Sequence, residues 1–286
     1  MTSKLDTECN SLGIKVLNFV SSMNNLIAII TAGFYTFAIV TIVLGLLNQT
    51  SISSKTVLLS VSLALAGHGL LLSHLIFSGH GQNLSILNVA SLISFIISIV
   101  MSFGTLKTRL WFLLPLVYGF SVVNLSMAVF LPSTFITHLQ NDIKLLMHTF
   151  LALSSYSTLT VGALYALQLT WLDCKLKSKK ALAINPNTPP LMVVERQLFK
   201  IVFIGTVFLT GTLLTGSIFI QDTLVRSTIH KSVLSSIAWV IYSTLLLGHY
   251  YKGWRGKKIT WFSIVGAMVL TFAYFGSRFV REVILQ

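Results

Sequence analysis

The sequence predicts an all-α fold, a polytopic membrane protein built as a bundle of about eight transmembrane helices. Hydrophobic residues occupy 54% of the 286 positions and charged residues only 9%, whereas a soluble domain carries roughly 25% charged residues. The apolar residues run in segments of the length that an α-helix needs to cross a bilayer, about 20 residues. Backbone polar groups in lipid must be hydrogen-bonded within their own segment, so these segments are predicted to be helices.

Eight apolar segments follow one another along the chain, with charged residues only at their edges. The predicted spans are 26–47, 56–77, 84–104, 110–131, 145–171, 199–220, 230–251 and 259–280, after an N-terminal tail at 1–25. The tail has no basic region that leads directly into an apolar stretch, so the first span is predicted to be a permanent anchor. The spans leave no segment for a separate soluble domain, and a single integral membrane domain over 1–286 is predicted.

The basic residues between the spans are unevenly distributed and predict an orientation. Thirteen of the twenty lysines and arginines lie in the loops after the first, third, fifth and seventh spans. They are Lys55, Lys107, Arg109, Lys175, Lys177, Lys179, Lys180, Arg196, Lys200, Lys252, Arg255, Lys257 and Lys258. Cytoplasmic loops are enriched in lysine and arginine, so this side is predicted to be cytoplasmic and both termini to face outward.

The overall charge and the chemical motifs exclude several classes of function. The net charge of +13 follows from the basic cytoplasmic loops, so nucleic acid is not expected as a partner. Cys9 and Cys174 are predicted to lie on opposite sides of the membrane and have no metal-binding spacing. The sequence also lacks GxSxG, P-loop and HExxH motifs, and the protein is not expected to be an enzyme.

The loop between the fifth and sixth spans ends in a proline-rich turn, NPNTPP, followed by LMVVERQLF. Apolar residues at Leu191, Val194 and Leu198 predict a short interfacial helix that leads into the sixth span; a plain solvated linker is the alternative. The sixth span carries Gly205, Gly211 and Gly216, which favour a close approach to a neighbouring helix.

Two histidines stand at the predicted outer ends of long spans. His148 opens the fifth span and His230 opens the seventh, so their side chains could face each other at one depth. A haem iron accepts two axial histidines, whereas a zinc ion would require a third or fourth ligand. The alternative for each residue is an ordinary interfacial histidine.

Two further histidines lie within the second span. His68 is near its middle and His74 is in its outer part. An ionisable group inside a bilayer is costly and is therefore a candidate for function. The alternative for His68 is a hydrogen bond to a serine or a backbone carbonyl of a neighbouring helix, and for His74 an interfacial position where polar residues are common.

Three stretches of the C-terminal half carry short motifs in a defined order. MHTFLALSSYSTLTVGALYAL, residues 147–167, opens with a histidine and contains a Ser-Tyr pair; residues 189–219 place Pro-Pro-Leu, Glu and Phe before a Gly/Thr-rich helix. Residues 230–276 contain Lys231, Ala238-Trp239, Tyr242, Gly253-Trp254-Arg255-Gly256 and Phe275-Gly276. Together they resemble the cytochrome c assembly superfamily of the CcsA/CcmC/HemX type, and their order and spacing resemble its small YpjD-like inner-membrane branch.

The resemblance implies a haem-handling protein of the bacterial inner membrane, with both termini on the periplasmic side. His148 matches the haem-ligating histidine of the family. His230 is our candidate for the second axial ligand, and Arg226 and Lys231 flank it and could bind haem propionates through charge-assisted hydrogen bonds. The expected partners are the lipid bilayer, haem, and other cytochrome assembly or membrane proteins.

The chain departs from the haem-presenting members of the superfamily at two places. Residues 221–229, QDTLVRSTI, stand where those members carry a tryptophan-rich segment, and the chain ends SRFVREVILQ with no histidine after the final helix. The resemblance therefore implies a haem-binding or haem-moving core, and not a full synthetase or lyase.

The loop Gly253-Trp254-Arg255-Gly256 is predicted to lie at the cytoplasmic interface. A tryptophan beside basic residues is typical of a topological anchor; the alternative is that Arg255 binds haem propionates or a partner. Two other functions remain open from sequence: a transporter or transporter accessory that uses His68 and His74, and a structural partner that docks through its small-residue helices.

Overall fold

The protein is described by a computed structural model that covers residues 2–48, 52–77, 81–107, 111–131, 135–137, 142–177, 190–219 and 226–276, with the backbone path alone at 2–21, 106–107, 175–176, 219 and 226–230. Within these residues the chain forms eight α-helices. They are α1 (Thr2–Leu47), α2 (Ser54–Ile76), α3 (Ile86–Lys107), α4 (Leu114–Phe130), α5 (Ile143–Lys177), α6 (Leu191–Phe219), α7 (Arg226–Lys252) and α8 (Lys257–Thr271). The prediction of an all-α polytopic membrane protein is confirmed.

Seven of the described helices are long and apolar enough to cross a membrane. Their candidate spans are Ser22–Leu47, Ser54–Ile76, Ile86–Thr105, Ile143–Cys174, Leu191–Ile218, Lys231–Lys252 and Lys257–Gly276. Helix α4 is apolar and has 17 residues, which at a rise of about 1.5 Å per residue reach about 26 Å. That length is slightly less than the roughly 30 Å of a hydrocarbon core.

Helices α1 and α4 begin at residues other than those predicted. Helix α1 begins at Thr2, so the predicted tail at 1–25 is helical from residue 2; it contains no proline that would end a helix. Helix α4 begins at Leu114 and not at residue 110, because Pro115 occupies its first turn. A proline is favoured there, since its missing N–H has no intrahelical partner to lose.

Helix α5 is longer at both ends than the predicted span 145–171. Asp142 precedes it, and its Oδ1 accepts the backbone N–H of Lys144 at 2.9 Å, which satisfies a donor that the helix leaves free. At the other end Lys177 donates to Asp173 at 2.6 Å, one turn earlier. Such pairs support the last turns of a helix.

Helix α6 runs without a break from Leu191, directly after Pro190. The segment predicted as an interfacial helix or a linker is therefore the beginning of the membrane span itself, because no helix breaker lies between Leu191 and Phe199. Val194 and Leu198 are buried. The other predicted spans agree with the structure to within a few residues, although positions 277–280 of the last one lie outside the described residues.

The helices pack as two rings of four. In the first ring, α1 and α3 each pack on α2 and α4; in the second, α5 and α7 each pack on α6 and α8. Helices α3 and α5 contact each other and join the rings. Among the described residues α5 and α7 have little contact, so they stand on a diagonal of the second ring.

We call the end at which α3, α5 and α7 begin the outer end, and the opposite end the inner end. At the outer end, β1 (Gln82–Asn83) pairs antiparallel with β2 (Ile136–Thr137). This two-stranded sheet ties the segment between α2 and α3 to the segment between α4 and α5. Helix α8 continues as a π-helical turn over Phe272–Gly276, in which Tyr274 and Phe275 pack against Tyr156 of α5.

The glycines of α6 allow α5 to approach closely, as the sequence predicts. A Cβ on Gly205 would lie 2.6 Å from Cδ2 of Leu159, and one on Gly211 would lie 3.4 Å from Cδ1 of Leu151. Ser155 also donates across this interface to the carbonyl of Gly205 at 3.2 Å. These small residues therefore pack against α5. On this side of α6 they are not available for contact with another protein.

Candidate functional site

His148 lies in the second turn of α5, half-buried against α6 at the outer end. Its Nδ1 is 3.0 Å from Oγ1 of Thr215. A Cβ on Gly216 would lie 3.2 Å from Cε1 of His148, so the imidazole rests directly against the backbone of α6. The antiparallel packing of α5 and α6 brings these residues together from positions 67 apart in the chain.

The hydroxyl of Thr215 contacts two backbone carbonyls of α6 as well as His148. Oγ1 of Thr215 donates to the carbonyl of Gly211 at 2.8 Å, with a second contact to the carbonyl of Thr212 at 3.1 Å. A hydroxyl has one proton, and while that proton is given to a carbonyl of α6 the oxygen can only accept from the imidazole. The neutral His148 ring therefore carries its proton on Nδ1, and Nε2 keeps the lone pair with which histidine binds a metal.

His230 lies in the second turn of α7, at the same end of the bundle as His148, because α5 and α7 both begin at the outer end. The two positions stand on the diagonal of the second ring. The side chains of His230 and Arg226 lie outside the described residues, and the pairing of the two histidines stays a prediction. Lys231 is half-buried, and helical spacing places it on the face of α7 that carries buried Ala238 and Tyr242.

His68 is 0% exposed and lies at the centre of the first ring. Its Nδ1 is 3.3 Å from the hydroxyl of Tyr35 on α1, and its Nε2 is 3.0 Å from the hydroxyl of Ser91 on α3. Both ring nitrogens thus have a partner on a neighbouring helix. The structure favours the alternative given above, an inter-helix hydrogen bond, over a polar pathway.

Further buried hydroxyl groups on α3 form hydrogen bonds with α4 inside the first ring. Ser98 is 2.7 Å from Ser121 on α4, and Ser102 is 2.9 Å from the hydroxyl of Tyr118. These side chains hold α3 against α4 by hydrogen bonds, for which lipid offers no competitor. The second intramembrane candidate, His74, is exposed and lies 3.3 Å from Oδ1 of Asn24, as expected of an interfacial residue.

The Gly253-Trp254-Arg255-Gly256 loop lies at the inner end, far from His148. Nε of Arg255 is 3.7 Å from Oε1 of Glu195 on α6. The Trp254 ring packs against the backbone of Gly248 and lies 5.3 Å from Phe262. The structure does not bring Arg255 and His148 together, so they cannot contact the same haem.

Both glycines of this loop have backbone angles that favour glycine. Gly253 has a φ of 59° and Gly256 a φ of 67°, in the left-handed region that side chains rarely adopt. His249 also lies at the inner end. The centroids of its ring and the Phe199 ring are 3.4 Å apart, and its Nδ1 is 3.2 Å from the carbonyl of Trp254.

An apolar groove of about 390 Å³ runs along α7. Its lining residues are Ser232, Val233, Ser236, Ile237, Val240 and Ile241. Most of them are exposed, and they lie on the side of α7 that is turned away from Ala238 and Tyr242. The groove therefore faces lipid and not the interior of the second ring.

The described residues contain no group of three or more His, Cys, Asp or Glu side chains that could hold a metal ion. His148 offers a single imidazole, which suits a metal that brings most of its ligands with it. A haem iron meets this condition, because the macrocycle provides four nitrogens and the protein only the axial ligands. The residues present fit haem through His148.

Sequence reasoning did not identify Thr215. Its position shows no signal in the sequence, because the register of α5 against α6 decides which threonine of the TGTLLTG segment meets His148. Gly216 was noted only as a packing residue, and it also makes room for the imidazole.

Comparison with known proteins places the chain in a family. The family model described as "Cytochrome C assembly protein" matches residues 56–285. The chain belongs to the cytochrome c assembly protein family. Because the match begins in α2 and extends past α8, both rings of this family member take part in it.

Relatives of this cytochrome c assembly family member span a range of similarity. The chain is 45% identical over 252 residues to the inner membrane protein YpjD of Escherichia coli K12, covering 87% of this chain and 95% of that protein. It is 23% identical over 203 residues to the cytochrome c biogenesis protein CcsA of Heterosigma akashiwo, covering 59% of this chain and 63% of that one. No solved structure matches the chain.

Proposed function

We propose that this protein binds haem at the outer end of the second ring, and that it acts in or beside cytochrome c assembly in a bacterial inner membrane. The observation that carries the proposal is the contact between His148 and Thr215, which leaves the Nε2 lone pair of His148 available to an iron. The names of two relatives support it: one is an inner membrane protein and another a cytochrome c biogenesis protein.

The residues of the second ring have distinct roles in this proposal. His148 supplies one axial nitrogen, held in its tautomer by Thr215. His230, across the ring diagonal, supplies the second. Arg226 and Lys231 neutralise the propionates by charge-assisted hydrogen bonds. The protein binds and hands over haem without making or breaking a covalent bond, so the proposed role is not enzymatic.

The contacts of His68 do not favour the alternative of a transporter or transporter accessory. That function requires intramembrane histidines that face a polar pathway. Both nitrogens of His68 are engaged by Tyr35 and Ser91, and His74 lies at the interface beside Asn24. Haem binding at His148 is therefore the function that the geometry supports best.

An absorption spectrum of the detergent-purified protein, expressed with haem available, tests the proposal. We expect a Soret band with low-spin features in the wild type and its loss in His148→Ala. His74→Ala is the matched control, because it removes an imidazole from the same end of the bundle, and it should keep the band. A flat wild-type spectrum, or an unchanged one in His148→Ala, would contradict the proposal.

The same measurement distinguishes a haem with one axial histidine from a haem with two. His230→Ala should keep haem but change the spectrum from low-spin to high-spin, because one axial position is then vacant or held by water. A wild-type spectrum in His230→Ala would exclude His230 as a ligand. Another residue would then supply the second axial ligand.

A further inference from the structure

Seven exposed side chains of two chemical kinds surround the connection between α7 and α8. We call residues 250–261 the α7–α8 turn. Its exposed cations are Lys252, Arg255, Lys257 and Lys258, and its exposed aromatic residues are Tyr250, Tyr251 and Trp261. The aromatic side chains are 75%, 83% and 69% exposed, respectively. Large amphipathic rings are favoured at the headgroup level of a bilayer, so this turn lies where headgroups are within reach.

Contacts of Trp254 hold the backbone of the α7–α8 turn in place. The Trp254 backbone N–H donates to the carbonyl of Gly248 at 3.2 Å, and its ring is seated between Gly248 and Phe262. Nζ of Lys258 lies 5.7 Å from the centre of the Trp254 ring, within the range of a cation–π contact. A site that is ordered before binding loses less conformational entropy when a ligand arrives.

The positive charge of the turn is largely uncompensated. Within the described part of the chain, Glu195 is the carboxylate that approaches these cations, at 3.7 Å from Nε of Arg255, and Lys252, Lys257 and Lys258 form no ion pair. Helix α8 begins at Lys257 without a side-chain cap, so its free N–H groups and the positive end of its dipole add to the field. The chemistry of the turn is that of a binding site for a phosphate.

We propose that the α7–α8 turn binds the headgroup phosphate of an anionic phospholipid. Four cations within seven residues, at the end of a membrane helix, are typical of anionic lipid recognition. The exposed tyrosines and Trp261 place the ligand in the membrane and not in water, which favours a lipid over a soluble acidic protein. This inference is independent of haem binding at the outer end.

Native mass spectrometry of the full chain tests the lipid site. The probe is phosphatidylglycerol, added to the detergent-purified protein with an equal amount of phosphatidylcholine. We expect the first phosphatidylglycerol to bind in preference to phosphatidylcholine. Lys252→Gln/Lys257→Gln should weaken its binding about 25-fold, or about five-fold per lysine, from about 1 kcal/mol for each cation near an anionic surface.

Two matched variants make the test specific. Lys55→Gln/Lys107→Gln removes the same charge from the same end of the bundle, on the first ring, and should change binding less than two-fold, because salt screens charges beyond about 8 Å. Lys252→Arg/Lys257→Arg keeps both charges and should bind as the wild type does. That result would show that substitution at these positions does not unfold the turn. Equal weakening by both glutamine variants would mean a diffuse cationic surface, and a wild type without preference for phosphatidylglycerol would mean another kind of partner; either result overturns the proposal.

Discussion

At the residue scale, the contact between His148 and Thr215 connects an imidazole of α5 to backbone carbonyls of α6. When Thr215 gives its only proton to the carbonyl of Gly211, its oxygen accepts from Nδ1 of His148. Metal-binding histidines in proteins are held by the same kind of second contact, which fixes the ring orientation as well as the tautomer.

Thr215→Val should therefore weaken haem binding although residue 215 does not touch the iron. The valine has the same shape but accepts no hydrogen bond, and loss of such a contact costs about 10–100-fold in metal affinity. Thr215→Ser keeps the hydroxyl and should bind nearly as the wild type does. Titration of the apo-protein with haemin, followed at the Soret band, measures both; equal affinities for Val and Ser would show that Thr215 does not position His148.

The residues differ in how far their roles could be predicted from sequence. The location of His148 at the outer end of a span was predictable, because hydrophobicity defines the span. The role of His68 was left between two alternatives, because its partners Tyr35 and Ser91 are on two other helices. Spacing along one helix shows which side chains share a face, and it does not show what lies opposite them.

At the scale of single helices, local signals coincide with three helix starts. Pro115, Asp142 and Pro190 each mark the beginning of a helix within two residues, for reasons that apply to any sequence. The beginning of α1 and the unbroken α6 were not predicted, because helices continue past the membrane boundary wherever no residue stops them. Hydropathy measures where lipid begins and not where the helix ends.

The packing of α5 on α6 depends on Gly205. Gly205→Ala should destabilise the protein by about 1–3 kcal/mol, because the added Cβ would lie 2.6 Å from Leu159 and overpacking of a well-filled contact costs about that much. Gly119→Ala is the control: a Cβ there meets nothing within 4 Å, and it should be neutral or slightly stabilising. Unfolding in detergent measures both variants, and equal stabilities would contradict the tight contact.

At the scale of the whole molecule, two rings of four helices are joined through α3 and α5. Each ring follows the order of the chain, because short connections place successive antiparallel helices side by side. The number and type of helices were predictable from composition. The division into two rings was not, since it follows from inter-helix contacts that leave no repeat in the sequence.

The orientation of the bundle remains a prediction from the basic loops, and thiol labelling can test it. Cys174 is exposed at the inner end of α5, which is predicted to be cytoplasmic. In a Cys9→Ser background, a membrane-impermeant maleimide should label Cys174 only after the cells are permeabilised. Lys144→Cys, in a chain without other cysteines, should be labelled in intact cells; the reverse pattern would invert the topology.

The π-helical turn at Phe272–Gly276 has a consequence for insertions and deletions in this chain. A π-helical turn accommodates one residue more than an α-helical turn, so the segment behaves as a single-residue insertion at the end of α8. Deletion of one residue there would let the α-helix continue, and it would shift Tyr274 and Phe275, which lie within the turn, relative to Tyr156. When a relative is one residue shorter in this region, the gap belongs between Phe272 and Gly276.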